Sequence, residues 1–200
     1  MLYLSSNTRP YIYFTVQQCA RFTHNTKASN ETSTRRICRY LQGNKDKGLV
    51  FYPSKKLVMN VYADADFVPL WRHENPQDPI CYRIRTGFVI NFTNCLLPWV
   101  SKIQTEIALS TLRSGYVALY HSVRELLTLK ILIKEVIDNL RIVSDNLKFV
   151  SSSTVYKDNN VSIVVATSPM MTTSSNHFSV KYHWFRQHTG KEFLIWKINS

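Results

Sequence analysis

Acids are scarce in this chain. Asp and Glu number 13 against 25 Lys and Arg, leaving a formal net charge of +12 and a sequence pI near 9.7. Such a balance favours a polyanionic partner, because neutralising phosphates releases condensed counterions. A basic but merely solvated surface is the competing reading, and composition leaves the two open. Cysteine is sparse as well. Cys19, Cys38, Cys81 and Cys95 are widely spaced with no C-x-x-C pair. That excludes a zinc-finger spacing and a disulfide framework, and points to small buried hydrophobes in a reducing compartment. Long apolar runs are missing too: none approaches bilayer length, and the most apolar helical stretch is broken by Lys130 and Lys134. Met1-Leu2-Tyr3-Leu4 passes at once into Ser5-Ser6-Asn7-Thr8-Arg9-Pro10, so no apolar core of a secretory signal is present. The expected setting is intracellular, cytoplasmic or nuclear, with no membrane role. Sequons beginning at Asn30, Asn91 and Asn160 carry no weight in that setting. Internal repeats and low-complexity tracts are absent.

What is present describes an ordinary globular chain. Its 200 residues are 44% hydrophobic and 19% charged, enough for one sizeable core or one domain plus an appended piece. The most informative stretch is Leu57-Val58-Met59-Asn60-Val61-Tyr62-Ala63-Asp64-Ala65-Asp66-Phe67. Leu57, Met59, Val61, Ala63, Ala65 and Phe67 alternate with Val58, Asn60, Tyr62, Asp64 and Asp66, the period of a half-buried strand. This strand delivers two carboxylates to one face near its C-terminal end. Such a pair suits a divalent cation; a solvated acidic strand end is the alternative.

Ahead of that strand, residues 1–50 read as a helical preface. Pro10 suits the first turn of a helix with Ile12, Val16, Cys19 and Phe22 on its apolar side. A second helix runs to Gly43, with Ile37, Cys38 and Leu41 facing in and Arg35, Arg36 and Arg39 facing out. Leu49-Val50-Phe51-Tyr52 reads as a short strand closed by Pro53, which sets a boundary near residues 50–56. After the Asp64 strand, Pro69, Pro76 and Pro79 mark a loop that carries Trp71 and His73. Strands at 87–92 and 98–101 flank a Thr93-Asn94 turn and complete a three-stranded meander. A helix of about 110–140 follows, apolar on more than one stripe. Lys148-Phe149-Val150 and Thr154-Val155-Tyr156 make one broken strand or two short ones ending at Asp158. A short helix near 160–166, a Ser/Thr-rich loop, a helix over about 179–188 and a last strand at 193–196 finish the chain. This order describes a mixed sheet flanked by helices. If the Asp158 strand lies beside the Asp64 strand, the two aspartates converge.

Several motifs then fall in a fixed order: Tyr62-Ala63-Asp64-Ala65-Asp66, Arg85-Thr86-Gly87-Phe88, Trp99-Val100-Ser101-Lys102, Ala108-Leu109-Ser110 with Tyr116-Val117-Ala118-Leu119, Asp158-Asn159, and His177 with Lys181-Tyr182-His183. Together they resemble the ribonuclease H domain of copia-type (Ty1/copia) retrotransposon polyproteins. Thr8-Arg9-Pro10 and Arg36-Ile37-Cys38-Arg39-Tyr40-Leu41-Gln42-Gly43 resemble the end of the same polyprotein's reverse transcriptase. The resemblance implies an α/β fold: a ribonuclease H-like five-stranded mixed sheet flanked by helices over residues 56–200, after the helical segment 1–50. It implies hydrolysis of the RNA strand of an RNA–DNA hybrid by two Mg²⁺ ions held by three Asp and one Glu. No small-molecule cofactor is implied.

Carried over residue by residue, the first Asp falls on Asp64 and the Asp of the D-N motif on Asp158, as catalytic and metal-binding residues. The other two positions depart from the pattern. Gly115 stands where the Glu is usual, Arg113 places a cation nearby, and Ser179 stands where the fourth acid is usual. Val161 and Ser162 replace small residues of the D-N motif. Glycine inside a helix costs about 1 kcal/mol relative to alanine, so Gly115 reads as poor for structure as well as for chemistry. The expectation is weak or absent Mg²⁺ binding and impaired or no cleavage. Restoring Gly115→Glu and Ser179→Asp would recover activity if only ligands are missing. His177, Lys181 and Arg186 are the candidate nucleic-acid contacts, with core packing as the competing role for the aromatic residues around them. A non-catalytic nucleic-acid-binding module and a decayed scaffold are the alternative functions.

Overall fold

The alternation in the first strand builds the molecule's main core. In β1 (Leu57–Asp66) the side chains of Met59, Val61 and Ala63 are buried, while Asn60 and Tyr62 are half-buried and Asp64 is exposed. The computed structural model describes residues 1–66, 84–105, 110–140, 149–158, 160–167, 184, 187–188 and 194–198. Preceding β1 are α1 (Leu2–Asn7), α2 (Pro10–Ala20) and α3 (Ala28–Gly43). Following it are β2 (Arg85–Phe92), β3 (Cys95–Ile103), α4 (Thr111–Leu140), β4 (Phe149–Lys157), α5 (Asn160–Thr167) and β5 (Leu194–Ile198).

The sheet has five strands in the order β3-β2-β1-β4-β5. β1 pairs antiparallel with β2 and parallel with β4, and β4 pairs parallel with β5. This is the five-stranded mixed sheet that the resemblance implies. Thr93 and Asn94 turn the β2–β3 hairpin with φ of 53° and 69°. Two left-handed residues in succession match the right-handed twist of the flanking strands. β3 lies at the sheet edge, which tolerates Pro98; there two residues, Leu97 and Pro98, stand opposite Ile90 alone.

The inward face of the meander meets α4. Tyr116, Leu119, Val123 and Leu126 are fully buried against Val61, Ile90 and Val155. The opposite face is partly covered by the N-terminal helices. Their own small core joins Ile12, Val16 and Ile37, with Cys19 and Leu41 at its margin. Trp99 Nε1 on β3 donates to the Ser5 carbonyl at 2.7 Å, tying that helical segment to the sheet. No helix among the described residues is long and apolar enough to cross a membrane.

Three sequence expectations change. Residues 49–52 form no strand: no described strand pairs with them, and Val50, Phe51 and Tyr52 are exposed. Cys38 faces solvent, not the core, and Cys19 and Cys95 are only half-buried, Cys19 packing at the margin of the small N-terminal core. The segment around 148–156 is one continuous strand, Phe149–Lys157, with a register irregularity between Leu57 and Met59 on its partner. Cys81, the proline loop with Trp71 and His73, and most of the helix expected at 179–188 lie outside the described residues.

Candidate metal centre

The parallel β1–β4 ladder sets the geometry. Tyr62 pairs with Tyr156, and their rings stack at 4.6 Å with planes 7° apart. Asp64 and Asp158 each lie two residues further on. The period of two therefore carries both carboxylates to the same sheet face as the tyrosines, at the same end of the ladder.

What joins them is a residue that the sequence reading passed over. Lys157, the last residue of β4, has a side chain only 3% exposed, whereas those of Asp64 and Asp158 are 69% and 63% exposed. Its Nζ donates to Asp64 Oδ1 at 2.8 Å and to Asp158 Oδ1 in a second, short contact. Asp64 Oδ1 also accepts the Ala65 backbone N–H at 2.7 Å. A buried ammonium needs such partners, since an unpaired charge in the interior is strongly disfavoured. The detectable signal was positional: Lys157 follows Ser153 and Val155 at a spacing of two, and both of those are buried.

The floor beneath Lys157 is built by two helices. Ser110 caps α4, its Oγ accepting the Arg113 N–H at 3.2 Å. Gln104 fixes the same turn to the sheet, its Nε2 donating to Thr86 Oγ1 at 2.8 Å and to the Ser114 carbonyl at 3.0 Å. Gly115, next in α4, is buried against α5. A Cβ placed there would stand 2.7 Å from Ser162 Oγ and 3.6 Å from Lys157 Cε. The glycine is therefore not a packing defect, as its helix position suggested. It makes the room that Ser162 and the Lys157 stem fill.

Does this pair fit a divalent ion? Mg²⁺ takes near-octahedral oxygen ligation, and carboxylate-bound ions are drawn by unspent negative charge. Here both carboxylates are turned onto one internal ammonium. Among the described residues no third Asp, Glu, His or Cys joins them in a group that could hold a metal. The described residues do not fit a two-metal centre. Ser179, His177, Lys181 and Arg186 lie outside the described residues.

Beside the aspartates a cleft of about 390 Å³ runs between the sheet and the N-terminal helices. Tyr62, Tyr156 and Trp99 form its sheet wall, and Pro10, Tyr13 and Phe14 its helical wall, with Asp64 and Asp158 also lining it.

Comparison with known proteins agrees with the motif order. The chain is 27% identical over 201 residues to the retrovirus-related Pol polyprotein from transposon TNT 1-94 of Nicotiana tabacum, covering all of this chain and 14% of that one. It is 22% identical over 179 residues to the Pol polyprotein from transposon RE1 of Arabidopsis thaliana, covering 90% of this chain and 11% of that one. The chain thus spans a small fraction of the length of the curated relatives it matches. The likeness to copia-type polyproteins is borne out by these relatives. Among solved structures it is similar to the N-terminal RNase H domain of Rv2228c from Mycobacterium tuberculosis, with 9% identity, a TM-score of 0.43, and coverage of 72% of this chain and 82% of that one. No protein-family model matches.

Proposed function

We propose that the chain is a retrotransposon-derived ribonuclease H-like domain that holds RNA–DNA hybrid but cleaves it very weakly or not at all. The observation that carries this reading is Lys157 Nζ seated between Asp64 and Asp158. Two-metal hydrolysis relies on Lewis acids to generate hydroxide and to stabilise the leaving oxygen. An ammonium does neither. It neutralises one carboxylate's worth of charge and engages one oxygen, Oδ1, of each aspartate. In this reading Gly115 and Ser179 are lost ligand positions, and Asp64 and Asp158 are remnants whose present work is to hold Lys157. Residues 1–50 are the end of a reverse-transcriptase-like region and 56–200 the ribonuclease H-like domain. His177, Lys181 and Arg186 remain assigned to the nucleic acid. A net charge of +12 supports the binding role.

The test is a hybrid-cleavage assay on the purified chain with Mg²⁺ and with Mn²⁺, paired with a binding measurement on the same hybrid. Binding without metal-dependent cleavage is the expected result. Cleavage at the rate of an intact relative would overturn the inactive reading. Loss of all hybrid binding at low salt would leave a scaffold without a nucleic-acid role.

A further inference from the structure

A second cleft, of about 430 Å³, opens between α2 and the β2–β3 end of the sheet. Three cations line it: Arg21 from α2, Arg85 from the start of β2 and Lys102 from β3. No acid is among its described lining residues. Arg85 is held in place there. Its Nη1 donates to the Ser101 carbonyl at 3.0 Å and to Ser101 Oγ at 3.2 Å, and its guanidinium lies 5.2 Å from the Phe14 ring centre. Lys102 is exposed and, among the described residues, its side chain has no hydrogen-bond or ion-pair partner. Burial first, and then the nearby Arg21, lower the Arg85 pKa from its ordinary value, while Tyr13 and Asp66 act the other way. Three like charges gathered in a lining with no acid among its described residues are an arrangement that an anion would relieve.

The cleft does not stand alone. It shares Tyr13, Val100 and Ser101 with the aromatic cleft that ends at Asp64 and Asp158. One groove therefore presents a cationic end and a run of aromatic rings. That combination suits a nucleic-acid strand, with phosphates on the arginine fork and bases against the rings.

We propose that Arg21, Arg85 and Lys102 form a binding site for backbone phosphates of a nucleic-acid strand lying in this groove. The proposal rests on the hybrid-binding reading above and assigns it a location. It is tested by fluorescence anisotropy of a labelled RNA–DNA hybrid with the full chain across a KCl series. Lys102→Gln and Arg85→Gln are compared with Lys134→Gln, an exposed charge on α4 across the sheet. Lys102→Gln and Arg85→Gln should each weaken binding about threefold to tenfold, uniformly across sequences, and lower the salt slope by roughly 1. Lys134→Gln should leave the slope unchanged. Because Arg85 also anchors Ser101, Arg85→Lys serves beside it: it keeps the charge, loses the fork and should fall between wild type and Gln. If wild type binds and the cleft variants keep its salt slope, the site is wrong while the binding reading survives. If wild type does not bind at low salt, the binding reading fails and the site with it. A loss confined to one base sequence would also overturn the phosphate assignment.

Discussion

The two faces of the sheet treat charge in opposite ways at neighbouring strand ends. On the α4 side the buried Lys157 at the end of β4 is answered within the chain by Asp64 and Asp158. On the side of the N-terminal helices the covering is partial, and among the described residues Arg85 and Lys102 form no ion pair, Arg85 donating instead to the Ser101 carbonyl and hydroxyl. A charge held by its own fold is closed to ions from outside. A charge held only by neutral groups stays available. The same basic composition thus produces a sealed site and an open one, and position relative to α4 decides which.

The strongest way to break this contrast is to force a ligand back onto the sealed side. Gly115→Glu adds a side chain whose Cβ falls 2.7 Å from Ser162 Oγ. Overpacking of this kind costs about 1–3 kcal/mol, against less than about 1 kcal/mol regained by removing a helical glycine. We expect a net loss of about 1–2 kcal/mol in chemical denaturation, with a matching fall in Tm. Ser162→Ala should be close to neutral alone and should restore most of the loss in the double variant, a coupling of about 1 kcal/mol or more. Additive losses would show that the helices do not meet as described. It follows that Gly115→Glu with Ser179→Asp is not enough to rebuild the centre; Ser162 has to give way as well.

A subtler test exchanges the internal cation for an external one. Lys157→Met keeps most of the stem's volume and removes the ammonium from both carboxylates. The wild-type Tm should not respond to Mg²⁺ or Mn²⁺ beyond ionic-strength effects. The variant's should rise with either ion, because a ligand bound only by the folded state stabilises by mass action, about 1.4 kcal/mol at ten times its Kd. A metal-dependent Tm in wild type, or none in the variant, would remove Lys157 from the role given to it.

How much of this was legible in the chain? The alternation around Val61 was, because a strand with one buried face must repeat every two residues, and it placed Asp64 correctly at a strand end. The meander and the long helix followed from turn residues and apolar stripes. Leu49–Tyr52 looked like a strand for the same local reasons, yet a strand exists only if a neighbour supplies its hydrogen bonds, and local pattern does not reveal neighbours. Gly115 misled in the same way. Its cost within the helix is local and readable, whereas its benefit is the approach of Ser162 from another helix. Lys157 was hidden by chemistry: a lysine at a strand end reads as solvated until two carboxylates arrive, one from a strand 93 residues away in sequence. Cys38 sits next to buried Ile37, where a small change in helix phase turns an inward residue outward.

On the open side the attachment of the N-terminal helices to the sheet is polar and local, which makes it the mildest point to probe. Trp99→Phe removes the indole donor to the Ser5 carbonyl while keeping an aromatic ring in the cleft wall. One hydrogen bond of this kind is worth about 0.5–1.5 kcal/mol, and because Ser5 is fully buried its orphaned carbonyl puts the loss in the upper half of that range. If the loss is confined to docking, hydrogen exchange should quicken in α1 and α2 while β1 and α4 keep their protection. The groove depends on that docking for its helical wall, so hybrid affinity should fall slightly, with the salt slope intact because the three cations remain. A changed slope would mean that helix docking positions the cations themselves. The two faces would then share one structural unit, with the open site no more independent of the core than the sealed one.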